Sequence, residues 1–480
     1  MDRLLSLVHR YCGLVFCLFV AAWTLSGFVM MYVRYPSFSD AQRLATQAPL
    51  SFAGCCNLAS ARAAAGDLSI DQFSIEMLGN EPVLRLATDT GATLTVELRE
   101  GTLPDSIPAV RAAQVAALFG RSQSPGAQPR LLGVVDHDQW TVARYGDRPL
   151  YKYALGDAAG TQFYVSAISG RVVQRTTRAQ RAWNYAGAIT HWLYPTLLRE
   201  KVRAWSQVVI WTSVCALLLV LTGLIVGWLQ WRPRGARRSP FRGVALWHHY
   251  AGLLFGLLGV AWIGSGLLSM NPWGLLESGS SRAERAQLAG LQLRSGQAFD
   301  VVRDLQQQGL PADVRAVRSS PFAGRLFLLE SDARHDTRVD AATLRPEKLD
   351  AAVLQAAASG LRAGVPVRSA GLITTGDDYY YAHHFMPPFP VFRLVLEDAD
   401  ATRYYIDAAD GSLLRKLDRN ARWWRWLFSA PHQWDFSPGL RQRPWWDIVV
   451  IAVLAGLAAS ALSGVWLALR CVRRLAIMRR

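Results

Sequence analysis

The chain reads as an α-helical membrane protein: a four-helix transmembrane bundle built from two tandem repeats, with two α+β domains outside it. Three observations predict this. Four apolar stretches are long enough to cross a bilayer, which takes about 20 residues. One segment is written twice, about half a chain apart, and a fixed offset is the signature of duplication. The long intervals between the stretches carry the strand alternation and helical patches of small folded domains.

The apolar stretches run from about Tyr11 to Tyr32, Trp205 to Trp231, Tyr250 to Met270 and Trp446 to Arg470. Trp and Tyr flank them, as interfacial anchors do. Composition agrees: 51% of the 480 residues are hydrophobic, only 18% are charged, and there are 18 tryptophans. The first stretch has the early arginine of a signal peptide. Its span is too long for an ordinary signal core, however, no small-residue cleavage site follows it, and its twin lies mid-chain.

The first copy of the repeat reads Leu7-Val8-His9-Arg10-Tyr11-Cys12-Gly13-Leu14, then Ala22-Trp23 and Ser26-Gly27. The second reads Leu246-Trp247-His248-His249-Tyr250-Ala251-Gly252-Leu253, then Ala261-Trp262 and Ser265-Gly266, without a slip in register. Another pair of segments runs from His191 to Thr222-Gly223 and from His432 to Ser463-Gly464 at nearly the same offset. The chain divides accordingly into a first helix with its cytosolic start (1–33), an exported domain (34–185), an interfacial segment with helix two (186–231), a basic loop (232–245), helix three (246–272), a second exported domain (273–430), an interfacial segment with helix four (431–470) and a basic tail (471–480).

The loop carries Arg232, Arg234, Arg237, Arg238 and Arg242, and the tail Arg473, Arg474, Arg479 and Arg480. Short basic segments stay in the cytosol, so both termini are expected there. The net charge of +16 is spread around membrane ends, where arginine meets the headgroups of the lipid bilayer. It does not gather on one basic face with interleaved aromatics, which argues against nucleic acid as a partner.

In the exported regions, Val83–Thr88 and Thr93–Leu98 alternate as strands around Gly91, and Ala109–Phe119 and Ala351–Leu361 read as helices. Gln162–Val173 and Arg403–Leu414 each read as strand, tight turn and strand, with Gly170 and Gly411 suited to a positive φ. No chemistry is assigned to these hairpins. Each region is long enough for its own small core.

The chemistry lies in four histidines. A polar ring at a bilayer edge needs a partner, and imidazole is a good iron ligand. His9, His191, His248 and His432 fall at duplicated positions, which invites two bis-histidine haem sites, most simply His9 with His248 and His191 with His432. Crossed pairing, and His249 in place of His248, stay open, as do another metal or a quinone pocket. Without a Cys-x-x-Cys-His motif the cofactor expected is non-covalent haem b, two per chain. Arg10, Arg181 and Arg422 lie near these histidines in sequence and are offered as propionate contacts. Gly13, Gly27, Gly223, Gly252, Gly264, Gly266 and Gly464 suit either a close macrocycle or helix packing.

In the order and duplication of these motifs, His9-Arg10-Tyr11-x-Gly13-Leu14, His248-His249-Tyr250-x-Gly252-Leu253, the hairpins ending at Gly170 and Gly411, and Thr222-Gly223 with Ser463-Gly464, the chain resembles the PepSY-associated transmembrane family over nearly its whole length. That family is functionally mixed and includes iron-regulated bacterial inner-membrane proteins that reduce ferric siderophores in the periplasm with membrane-bound haem. The resemblance implies two PepSY-like periplasmic domains, a cytoplasmic-membrane location and an oxidoreductase that passes electrons outward to a ferric siderophore and releases Fe(II). No glycine-rich dinucleotide fingerprint is present, so the electron donor expected is a membrane quinol or a separate reductase.

Asp377, Asp378, His383 and His384 combine oxygen and imidazole ligands and are weighed as a contact for the iron chelate, against the commoner reading of an aromatic strand with an acidic turn. The adjacent Cys55 and Cys56 are not expected to bond each other, and no zinc-type spacing occurs. Two rival classes are a non-enzymatic PepSY scaffold that binds or restrains a partner such as a peptidase, and a transporter, for which intramembrane acids are too sparse.

Overall fold

The computed structural model describes residues 2–232, 238–381, 383 and 386–478. The middle of the basic loop (233–237), with Arg234 and Arg237, lies outside them, as do His384, Arg479 and Arg480.

Four helices are long and apolar enough to cross a membrane. They are Asp2–Met30, Val202–Leu229, Val244–Ser269 and Trp445–Met478, here the first to fourth membrane helices. They overrun the apolar stretches mainly at the end near the chain termini, because hydropathy marks only the apolar core and the polar turns beyond it keep their backbone bonds. The first and third helices each pack against the second and fourth, closing a ring of four.

The sheets lie at the other end of the bundle. In chain order the strands are β1 (Ser69–Leu78), β2 (Glu81–Thr88), β3 (Thr93–Glu97), β4 (Arg130–Val135), β5 (Leu150–Ala154), β6 (Gln162–Ser166), β7 (Val172–Thr176), β8 (Leu293–Arg294), β9 (Ala316–Phe322), β10 (Arg325–Ser331), β11 (Asp336–Asp340), β12 (Val367–Ile373), β13 (Val391–Leu396), β14 (Arg403–Asp407) and β15 (Leu413–Leu417). β4–β7 and β12–β15 form two four-stranded antiparallel meanders of the same order. The expected hairpins are β6–β7 and β14–β15. Gly170 and Gly411 turn with φ of 66° and 81°, and a Cβ there would meet Leu78 or Phe322 at 2.4 or 2.3 Å.

The remaining strands join into one sheet, β11-β10-β9-β1-β2-β3 with β8 on β1. The join is antiparallel pairing of Ser74, Ile75 and Glu76 with Arg318, Val317 and Ala316. The two regions between the membrane helices therefore do not keep separate cores throughout: Phe73, Leu84 and Val96 of one pack in a single core with Phe299, Val302 and Leu328 of the other. Sequence reading misses this because pairing between distant strands leaves no local signal. On β1, buried Glu76 meets Arg43 at 2.5 Å and Arg171 at 2.6 Å and also pairs with Arg85. Burial alone would raise its carboxyl, but Arg85, Arg171 and Arg43 together hold it well below the usual carboxylate range. Contrary to expectation, Cys55 and Cys56 are joined to each other, across a cis peptide.

Candidate functional site

The four membrane helices enclose a cavity of about 1670 Å³. At its terminal end, His9 on the first helix faces His248 on the third, with ring centroids 6.2 Å apart. At its sheet end, His191 faces His432 at 6.1 Å. The second pair sits in the segments leading into the second and fourth helices. Each follows one π-helical turn, Tyr185–Ile189 or Arg425–Ser429, a widened turn often found at functional sites.

One nitrogen of every ring is fixed. His9 Nδ1 lies 3.0 Å from the Leu219 carbonyl and His248 Nδ1 3.0 Å from that of Ser460. His191 Nδ1 lies 3.2 Å from the Trp23 carbonyl and 3.0 Å from Ser26 Oγ; His432 Nδ1 lies 3.2 Å from the Trp262 carbonyl and 3.1 Å from Ser265 Oγ. A carbonyl only accepts, so each Nδ1 carries the hydrogen and each Nε2 keeps its lone pair. This is the arrangement by which ligating histidines are oriented. Burial pushes His432 down to about 4, and burial with the facing His432 does the same to His191. Both are neutral at physiological pH, as a ligand must be.

The spacing leaves room for one metal ion between each pair of rings. A metal–imidazole bond is about 2.0–2.1 Å, and two such bonds with half a ring on each side would bring the centroids to about 6 Å. Among the described residues no three His, Cys, Asp or Glu side chains gather around one point, so a metal held by either pair would take its remaining donors from outside this set.

The repeated glycines make room for the rings. A Cβ on Gly223 would lie 2.5 Å from His9 Cε1, one on Gly464 3.1 Å from His248 Cε1, and one on Gly266 3.2 Å from His432 Cε1. Gly27 instead meets Leu454 at 3.2 Å, and Gly13, Gly252 and Gly264 make only ordinary contacts. His249 is committed elsewhere: its Nδ1 lies 2.8 Å from Ser239 Oγ and its Nε2 2.8 Å from the Gly227 carbonyl. His248 is therefore the ring free to serve the cavity.

The arginines are sorted differently from expectation. Arg10 lines the terminal end and donates to Cys471 Sγ at 3.0 Å. Arg181 instead donates to the carbonyls of Thr176 and Gly160, and Arg422 to those of Asp400 and Ala401. Both secure loops of the meanders and neither lines the cavity. Arg470 and Arg474 line the terminal end, and Arg34 and Arg443 the sheet end. Sequence placed Arg474 in the basic tail and Arg470 at the end of the fourth apolar stretch, but nothing in it shows which juxtamembrane arginines turn inward.

The Asp377 cluster also differs. Asp377 accepts from Tyr405 Oη at 2.8 Å, Arg393 Nη1 at 3.1 Å and the Tyr379 and Tyr380 amides. Asp138 does the same in the other meander, accepting from Tyr164 Oη at 2.6 Å and Lys152 Nζ at 2.7 Å. Both are anchored turns, and Asp377 has no lone pair to spare for a chelate. Arg425 Nε donates to the Asp378 carbonyl, and His383 lies against Trp446, ring centroids 5.4 Å apart.

No protein-family model matches the chain, and no curated protein is similar to it at a significant level.

Proposed function

We propose that this chain is a haem-containing reductase of the bacterial inner membrane that passes electrons to a periplasmic ferric siderophore and releases Fe(II). The observation that carries the reading is the geometry of the two imidazole pairs, one at each end of the bundle, with ring spacings of 6.2 and 6.1 Å and every Nδ1 committed to a carbonyl. His9 with His248, and His191 with His432, hold two haems b. Haem held there would supply one-electron exchange at each site, with a potential tuned by the histidines, their hydrogen bonds and burial.

The chain's own part is to fix the rings and present charge at the two ends of the cavity. Basic short segments argue for a cytosolic terminal end and periplasmic sheets. The matching meanders, the paired histidines and the serine and glycine positions beside them support two tandem repeats, and with the motif resemblance they support PepSY-like periplasmic domains. The donor is a membrane quinol or a separate reductase. Reduction loosens a hard-oxygen chelate because its donors prefer the more highly charged ion.

The test uses proteoliposomes with dithionite trapped inside and a ferric siderophore with an Fe(II)-specific dye outside. Haem-loaded protein should colour the dye, and His9→Ala or His432→Ala should abolish the signal. Loaded protein that leaves every ferric chelate unreduced would rule the reductase out.

A further inference from the structure

The sheet end of the cavity carries a concentration of positive charge that the repeat does not explain. Arg34 and Arg443 line the mouth beside Trp446 and Tyr32. Arg443 is held 3.6 Å from Asp447 and donates to the Met31 carbonyl at 3.2 Å. Just outside, the Arg441 guanidinium lies 3.6 Å over the Tyr381 ring. Its Nε and Nη2 are shielded from solvent and find no hydrogen-bond acceptor among the described residues. Arg425 is buried against Asp435 at 2.6 Å, and its Nη1 finds no acceptor among the described residues.

Four guanidiniums thus converge here, and among the described residues the carboxylates that touch them are Asp435 and Asp447. His383 reports the field: after burial, Arg441, Arg443, Arg425 and Arg34 push its imidazole down to about 4. Such a field repels a bare cation, so His383 is a poor metal ligand, and attracts an anion. Buried donors without acceptors are costly in a folded protein.

A structural role needed by each repeat would be written in both. By the offset that relates His9 to His248, Arg34 corresponds to Trp273. By the offset that relates His191 to His432, Arg441 and Arg443 correspond to Glu200 and Val202. The segment before the second helix has its own Arg199, Lys201 and Arg203, but none of these lines the cavity, so at the mouth the charge comes from one side of a bundle whose histidines are placed evenly.

We propose that Arg34, Arg441 and Arg443 form a receptor for an anionic oxygen group, a carboxylate above all, and that the iron chelate accepted at this mouth carries free carboxylates. The chelate half rests on the reductase reading; the anion site does not. One carboxylate chemistry has two sources, a free chelate or a propionate of a haem held by His191 and His432.

The test uses the full chain in detergent, with citrate and ferric citrate as probes and a ferric trihydroxamate without carboxylates as control. Equilibrium dialysis should show citrate bound by the wild type and bound about tenfold or more weakly by Arg441→Gln and Arg443→Gln, since each removes a charge-assisted hydrogen bond. Arg441→Lys should recover part of the loss, and the trihydroxamate should be indifferent to all three. Midpoint potentials measured without citrate separate the sources. Unchanged potentials with weakened citrate binding assign the site to a free chelate. A shifted potential, with no citrate bound by the wild type, assigns it to a propionate and overturns the chelate half. A wild type that binds no citrate, with potentials indifferent to the substitutions, overturns the whole proposal. Dialysis reads equally well on protein without haem, so failure of the anion site and failure of the reductase reading are distinguishable.

Discussion

The two histidine pairs are built from the same four helices by exchanging roles. His9 and His248 are carried by the first and third helices and oriented by carbonyls of the second and fourth, at Leu219 and Ser460. His191 and His432 precede the second and fourth helices and are oriented by the first and third, at Trp23 and Trp262. Each site therefore depends on all four helices. Their support differs ring by ring, however. The Nδ1 atoms of His248, His191 and His432 each have a serine hydroxyl, Ser463, Ser26 or Ser265, within hydrogen-bond reach, whereas His9 is held by the Leu219 carbonyl with Gly223 pressed closest against its ring.

That contrast orders the consequences of substitution. The largest effect is expected from the rings themselves: His9→Ala or His248→Ala should empty the terminal site alone, and His191→Ala or His432→Ala the sheet-end site alone. Each should leave about half the wild-type haem by pyridine haemochrome. Loss of all haem from any one substitution would show that the sites are not independent. Next, Gly223→Val should drive a side chain into His9, costing about 1–3 kcal/mol as overpacking does. It should deplete the terminal site while the sheet-end spectrum persists. Smaller still, Ser26→Ala or Ser265→Ala removes one partner of an Nδ1 that keeps its carbonyl. Haem affinity at the sheet end should fall by less than about tenfold, the lower bound for losing an orienting partner outright, with the terminal site unmoved in a haem titration. The smallest effect on the cavity belongs to Arg181→Gln and Arg422→Gln, which should leave both spectra unchanged and cost about 1 kcal/mol of stability in thermal unfolding.

What sequence revealed and what it hid divide along physical lines. The membrane helices were legible because a bilayer demands long apolar runs, and the histidines because two similar stretches of sequence set isolated polar residues at matching positions, which suggested their partners. The choice between His248 and His249 was not legible. It turns on His249 bonding to Ser239 in the preceding loop and to the Gly227 carbonyl of the second helix. Arg181 and Arg422 lie close to the histidines in sequence, but their guanidiniums reach back into the meanders, while no local pattern shows that Arg34 and Arg443 line the cavity. The sheet shared through β1 and β9 was hidden for a similar reason, since both strands alternate like any half-buried strand and nothing local names the partner.

The central claim is that each facing pair of imidazoles grips one haem. The most direct measurement is the optical and low-temperature EPR spectrum of detergent-purified protein expressed with ample haem, oxidised and then dithionite-reduced, with haem quantified per chain. The account predicts low-spin, bis-imidazole b-type spectra and close to two haems per chain. Colourless protein, or high-spin haem indifferent to loss of the four histidines, would contradict it and favour a membrane scaffold.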